Sequence, residues 1–517
     1  MDAVLPSWAP PLIQSVIDNV YSLKPYVEPT VCLVPAIVKV KVTELGETIG
    51  FDYDTLSYVL GMLICYPLGI IMASLPYGKT KHLFSFLLGA FLLQFTLGVQ
   101  WIHQFIASIF AYLCFLVLPP KLAKTVVPTF IVGYCVLGHL HRQFVNYLGW
   151  DLDFTGPHMV LTIKLYSIAW NLYDGHLIKK AGNKKDSLPR ATQKCSQFAL
   201  TELPSLLEFL GYTFCFSNVL AGPAYEFSIY RAAANGSLLY DDNGKPRGKI
   251  PSQVWPTLKN LVVSLACMGI FVAGSGKFPI MDPVDPQKNA PTFVALTSAY
   301  SIHSNTPWHI RYGYSWVALF FQRFKYYFAW KNAEGSNNIW YAGFEGFDTK
   351  GDPIGWENAN NIDILQFETA PNLKLLSAAW NKKTSNWLTR YIYMRTGGSL
   401  YATYAMSAFW HGFYPGYYFF FLSMPMLTAC ERIGRKKLSP RFSTGGKWSP
   451  WGITTIMCTS FLIEYFIQPF QMLSWEWSVQ AWRGHYFFGH VLAVGFYGVC
   501  MMLPTPKGKG GDKKKKA

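Results

Sequence analysis

A chain of 517 residues with 51% hydrophobic and 17% aromatic residues carries only 14% charged ones, where soluble domains average about 25%. The formal net charge of +16 would suit a nucleic-acid binder, but its excess sits in short segments between apolar stretches, densest at 179–185 (KKAGNKK), 432–437 (RIGRKK) and 507–516 (KGKGGDKKKK). Basic loops beside spans follow the positive-inside bias, so composition excludes a soluble globular domain and a nucleic-acid partner and leaves an all-α polytopic membrane protein.

From the N-terminus, MDAVLPSWAPPLIQ lacks a basic segment followed by an apolar core, so no cleaved signal peptide is expected. Apolar stretches then recur at 54–75, 83–99, 101–119, 125–147, 157–173, 204–222, 257–275, 309–330, 399–413, 416–430, 451–474 and 484–503. A hydrocarbon layer of about 30 Å takes roughly 20 residues to cross, and with the short segments ambiguous the expectation is roughly ten or eleven transmembrane helices. Polar connections interrupt them at 176–203, 226–256 and 331–398. The third is long enough to be functional, and its aromatic content argues against disorder. One membrane domain is expected over 1–503, with a basic cytosolic tail at 504–517.

The ten cysteines are scattered without a C-x-x-C pair, as small core residues rather than metal ligands. The tail ends in K-K-K-A, with Lys514 and Lys515 spaced as in the dilysine retrieval signal of endoplasmic reticulum membrane proteins. The N-G-S sequon at Asn235 would mark a lumenal loop if used.

Between Arg395 and Glu431 the chain holds no Asp, Glu, Lys or Arg, yet it holds His411. An ionisable residue inside an apolar segment is a functional candidate by default, and desolvation favours the neutral imidazole, a usable base. Pro415 lacks the N–H that the His411 carbonyl would accept four residues earlier, so the helix is expected to kink or end at the histidine. Broken backbone at membrane depth implies a cavity there. Other schemes are absent. No histidine has an aspartate five positions on, which excludes the soluble His–Asp acyl-transfer motif, and VAGSGKFP puts Phe278 after Lys277 where a phosphate loop needs Ser or Thr.

WHGFYPGYYFFF (410–421) resembles the W-H-G-x-x-x-G-Y-x-x-x-F signature of the membrane-bound O-acyltransferase family, in its lysophospholipid acyltransferase branch. NKKTSNWL (381–388) resembles that branch's N-x-x-T-x-x-W pattern, and FKYYFAWKNAEGS (324–336), GFEGFD (343–348) and NIDILQFETA (361–370) resemble the segment preceding it. The likeness runs over roughly 125–503 and is nearest to the fungal broad-specificity enzymes. Trp356-Glu357 stands where the branch commonly has Trp-Asp, and the F-Y-x-D-W-W-N motif of the sterol and diacylglycerol branch is missing.

The resemblance implies a helical bundle around a reaction chamber, with 331–398 as its polar catalytic loop region. The implied reaction transfers an acyl chain from acyl-CoA to the free hydroxyl of a lysophospholipid. His411 is the implied base, and Asn381 is the second catalytic residue, either donating to the oxyanion or orienting the acceptor. Acyl-CoA is a co-substrate, with no further cofactor and no metal expected. Membrane lipids are the remaining partners, and the implied location is the endoplasmic reticulum membrane, multi-pass, with the C-terminus cytosolic. Candidate substrate contacts are Trp410, Tyr417, Glu334, Trp356, Glu357, Lys382, Lys383 and Arg390. The three basic residues read equally well as a solvated face, and Tyr417 as packing. A protein O-acyltransferase of the same fold and a non-enzymatic transporter are the alternatives. Head-group preference and oligomeric state are not encoded legibly.

Overall fold

Serine, aspartate and proline at the starts of apolar runs set several helix beginnings in the computed structural model, which describes residues 36–149, 151–280, 307–442 and 446–505. The tail from 506 on, with Lys514 and Lys515, lies outside the described residues. Asp52 accepts the Thr55 N–H, and Ser205 and Glu208 form a reciprocal capping box; Ser399, Ser449 and Ser474 accept N–H groups three residues on. Each satisfies a donor the first turn leaves open. Pro120, Pro415 and Pro450 occupy the first helical position, where their missing N–H costs nothing.

The helices run α1 (Ala36–Ile49), α2 (Tyr53–Leu63), α3 (Cys65–Ser74), α4 (Lys79–Leu97), α5 (Trp101–Val117), α6 (Pro120–Val145), α7 (Thr155–Ala181), α8 (Arg190–Cys195), α9 (Leu206–Thr213), α10 (Phe227–Ala234), α11 (Val254–Lys277) and α12 (Trp308–Ile339). There follow α13 (Ile364–Glu368), α14 (Leu373–Ala379), α15 (Lys382–Trp387), a π-helical turn (Leu388–Ile392), a 3-10 turn (Tyr393–Arg395), α16 (Leu400–His411), α17 (Pro415–Lys437), α18 (Ser439–Phe442), α19 (Pro450–Met472), α20 (Trp475–Gly484) and α21 (Phe488–Met502). Among the described residues there are no strands, only isolated bridges pairing Tyr240 with Pro246 and Phe347 with Pro353. The 331–398 connection is therefore largely built structure. It starts as the last turns of α12 and holds α13 to α15.

The chain falls into two compact units. The first takes the described residues up to Ala273, then Phe321–Ile362 and Asn381–Phe413; the second takes Gly274–Phe320, Asp363–Trp380 and the chain from Tyr414. In the first, α7 packs along α6. The Lys164 ammonium, buried in α7, donates to the Tyr212 carbonyl (2.9 Å) and to Asn218 Oδ1 (2.7 Å), so its charge is used inside the fold. In the second, α17 packs against α19 and α21, and Gly416 meets the end of α19. A Cβ on Gly416 would lie 2.0 Å from the Pro469 carbonyl oxygen, so only glycine permits that approach.

Five described helical stretches are long and apolar enough to cross a membrane: Tyr53–Ser74, Lys79–Val117, Pro120–Val145, Val254–Lys277 and Pro450–Met472. The bent pair α20 and α21, at 67°, makes a sixth if counted as one span. Three features keep other expected spans outside that measure, which takes helix length and composition alone. The 83–99 and 101–119 segments run on through a single 3-10 turn, Gly98–Gln100. Segment 204–222 yields only α9, and α16, with 12 residues, reaches about 18 Å at 1.5 Å per residue. Finally, α7, α12 and α17 carry charges along their length, among them Lys164 and Asp174, Arg323 and Lys331, and Glu431 and Arg435.

Candidate active site

Ser399 opens α16 and His411 closes it. The break is made by Gly412, whose φ of 119° lies where an L side chain is strained. Its N–H turns back to the Ala408 and Phe409 carbonyls, both at 3.2 Å. The helix thus ends at the histidine as expected, but not through the expected agent. Pro415 does not interrupt α16; it starts α17 three residues after the break.

His411 is partly exposed, with its ring edge-on to Trp410 at 4.8 Å. Trp410 is buried, and its indole N–H donates to the Met159 carbonyl at 3.1 Å. From α6, His139 Nε2 donates to the Trp410 carbonyl at 3.1 Å; a carbonyl only accepts, so that nitrogen carries the proton. The His139 ring also fills the space beside Gly412, where a Cβ would come within 3.1 Å of its Cγ. Sequence reasoning did not single out His139, because a contact to a distant backbone carbonyl leaves no residue pattern.

Asn381 stands before α15 in the left-handed region, φ 43° and ψ 51°, which asparagine tolerates better than most residues. Asn361 holds that turn. Its carbonyl accepts the Lys382 N–H and its Oδ1 the Lys383 N–H, both at 2.9 Å, while its Nδ2 donates to Asn381 Oδ1 at 3.1 Å. Asn361 lies in NIDILQFETA, where nothing in its residue type marks it as part of the site.

Glu357, Lys382 and Lys383 come together beside Asn381. Lys382 Nζ lies 2.6 Å from Glu357 Oε2, and Lys383 Nζ donates to the Glu357 carbonyl at 2.8 Å. Burial alone would raise the Glu357 carboxyl, but the bond and charge from Lys382, with Asn360 and Lys383, outweigh it and hold it below its ordinary value. Lys383 is brought down to about 8, first by burial and then by the Lys382 charge, with Glu357 opposing.

Apolar packing joins the two candidates' helices. Trp387, the last residue of α15, shares a buried cluster with Trp410 of α16, Ile163 of α7 and Tyr391 of the π turn, with the two indoles 6.1 Å apart. The Thr and Trp of N-x-x-T-x-x-W, Thr384 and Trp387, are both buried. Polar bonds hold the next turn. The Tyr391 hydroxyl lies 2.7 Å from Asn171 Oδ1 and 3.0 Å from Glu226, and Arg390 pairs with Glu226 at 2.9 Å while lying over the Phe198 ring. Arg395 pairs with Asp174 at 2.5 Å. Arg390 is thereby committed to the frame of this segment. A π turn at such a place is a recurrent mark of functional sites.

The remaining candidates lie apart from these contacts. Both Glu334 oxygens are engaged, one by Lys331 at 2.7 Å and one by Asn260 at 3.1 Å. Trp356 rests against Tyr341 and Phe344 and braces the turn before Glu357. Tyr417 belongs to the second unit, where it meets Phe470 at 4.9 Å. Among the described residues no cluster of three or more His, Cys, Asp or Glu side chains could hold a metal ion.

A family model described as MBOAT, membrane-bound O-acyltransferase family, matches residues 142–466. The chain is 29% identical to the lysophospholipid acyltransferase of Saccharomyces cerevisiae, covering 87% of this chain and 75% of that one. It is 26% identical to lysophospholipid acyltransferase 1 of Arabidopsis thaliana, over 90% and 97% of the two. Identity to lysophospholipid acyltransferase 6 of Drosophila melanogaster is 30%, over 87% of this chain but 62% of that relative's length.

Proposed function

The chain belongs to the membrane-bound O-acyltransferase family, and we propose that this O-acyltransferase acylates lysophospholipids with His411 as general base and Asn381 as its amide partner. The donor is an acyl-CoA. A glycerol hydroxyl is a poor nucleophile near neutral pH, so His411 removes its proton as the oxygen attacks the thioester carbon. Negative charge gathers on the thioester oxygen, where the Asn381 amide stabilises it. The C–S bond then breaks, and the proton held by His411 passes to the CoA sulfur, giving ester and free thiol with no acyl-enzyme between.

The observation that carries this reading is the Trp387–Trp410 contact within one compact unit. It joins the helix that follows Asn381 to the helix that ends at His411, although a polar segment separates them in sequence. Lys382 and Lys383 form a cationic edge beside Asn381 suited to the phosphates of CoA, with Glu357 as counter-ion; Arg390, held by Glu226, serves the frame. The names borne by the yeast and Arabidopsis relatives support a lysophospholipid acceptor. The setting is the endoplasmic reticulum membrane, with 1–503 as one membrane domain and the basic C-terminal segment cytosolic, in line with the positive-inside bias.

Microsomes carrying the protein, given labelled acyl-CoA and a panel of lysophospholipids, should place label in phospholipid, and His411→Ala microsomes should not. Label in protein instead of lipid would assign the same fold to protein acylation. Solute flux in proteoliposomes without acyl transfer would replace an enzyme with a transporter.

A further inference from the structure

We infer that Asn361 is a positioning residue that fixes the Asn381 side-chain amide with its N–H group facing the reaction, making Asn381 a donor and not an acceptor; this rests on the reading of Asn381 above. The polarity follows from one backbone group. Asn361 is buried, 2% exposed, and one end of its side chain faces the Lys383 N–H at 2.9 Å. A backbone N–H only donates, so that end is Oδ1. The opposite end is then Nδ2, which only donates, and it faces Asn381 at 3.1 Å. Asn381 must answer with Oδ1. Its own Nδ2 is left directed away from Asn361, as a donor available to an oxyanion.

The backbone locks the same arrangement. The Asn361 carbonyl accepts the Lys382 N–H, so backbone and side chain of one residue hold two successive N–H groups and, with them, the left-handed turn at Asn381. Rotating the Asn381 amide by half a turn would set two donors against each other and leave a buried group unpaired, an arrangement costing about 1–3 kcal/mol. Asn361 thus settles by hydrogen-bond polarity what residue type alone leaves open.

Asn361→Asp tests this. A carboxylate at 361 keeps an acceptor for the Lys383 N–H but turns the second end into an acceptor too. The Asn381 amide then rotates to donate to Asp, and its oxygen faces the developing oxyanion. Loss of a single oxyanion donor costs roughly 10²- to 10³-fold in kcat, so kcat should fall by about that factor while the KM for the lysophospholipid stays within about twofold. Rates and thermal unfolding are measured on the purified full-length protein in lipid nanodiscs for wild type, Asn361→Asp, Asn381→Ala and the double variant. In the Asn381→Ala background, Asn361→Asp should cost nothing further. A wild-type kcat in Asn361→Asp overturns the inference, as does an equal loss with and without Asn381, which would mark Asn361 as structural. An active Asn381→Ala enzyme overturns the reading of Asn381 itself, a distinguishable result. Should the acidic variant not be recovered folded, Asn361→Ala keeps the Lys382 bond and frees the Asn381 amide; kcat should fall by about tenfold, and an unchanged kcat there overturns the inference equally.

Discussion

Lys383 has an ammonium held well below its ordinary value, near the upper end of the working range of pH. Burial and the neighbouring Lys382 bring it from the ordinary 10.5 to about 8, against the pull of Glu357, with Arg390 and Glu345 as further neighbours of opposite effect. If its ammonium meets the CoA phosphates, the KM for acyl-CoA should rise as pH climbs through about 8 while kcat with saturating donor holds, and Lys383→Arg should flatten that rise. A KM that stays constant from pH 7 to 9 in the wild type would remove Lys383 from donor binding. The sign for folding is opposite. The folded state holds this proton less tightly than the unfolded one, so this group's contribution to stability rises with pH between about 8 and 10.5.

At the scale of the helix, the break after His411 depends on Gly412 and much less on Pro415, while Gly416 sets how closely α17 approaches the end of α19. Gly412 has φ of 119° and the His139 ring against it, and Gly416 has the Pro469 carbonyl against it. Gly412→Ala combines backbone strain of about 1–3 kcal/mol with a tight contact to the His139 ring, and Gly416→Ala sets a Cβ against the Pro469 carbonyl, over-packing that costs about 1–3 kcal/mol. Both should lower the amount of folded protein. Pro415→Ala, at the first position of α17, gives up only the pre-set φ, about 0.4–1 kcal/mol, and should keep near-normal turnover. Thermal unfolding and rate per folded molecule check all three; a Pro415→Ala enzyme that folds but does not turn over would return the break to proline. His411 was legible because an imidazole in an apolar run beside Gly and Pro is rare, and the end of α16 followed from the same residues. The agent of that end did not, since only backbone angles separate a Gly412 break from a Pro415 kink. Asn361 and His139 were hidden for a related reason. Both bond backbone groups more than 20 residues away in sequence, and a bond to a carbonyl or an N–H places no demand on the partner's residue type.

For the molecule as a whole, hydrophobicity made the helical membrane class plain but not the bounds of each helix, because a window of apolar residues does not show where a helix stops. Segments 204–222 and 399–413 contain breaks that shorten them, and α12 carries its charges at positions such as Lys331 and Glu334 that pair inside the first unit. What the fold achieves there is to bring the ends of α15 and α16 under one apolar cluster. The central claim is that His411 and Asn381 serve one transition state. A positioned base contributes about 10²- to 10⁴-fold and one oxyanion donor roughly 10²- to 10³-fold, and groups that act as a unit are strongly non-additive. The direct measurement is the initial rate of phospholipid formation in microsomes, per folded protein, for wild type, His411→Ala, Asn381→Ala and the double variant. Both single variants should be severely impaired, and the double variant little slower than the poorer of them. A His411→Ala enzyme that keeps a large share of the wild-type rate, or losses that multiply in the double variant, would contradict it.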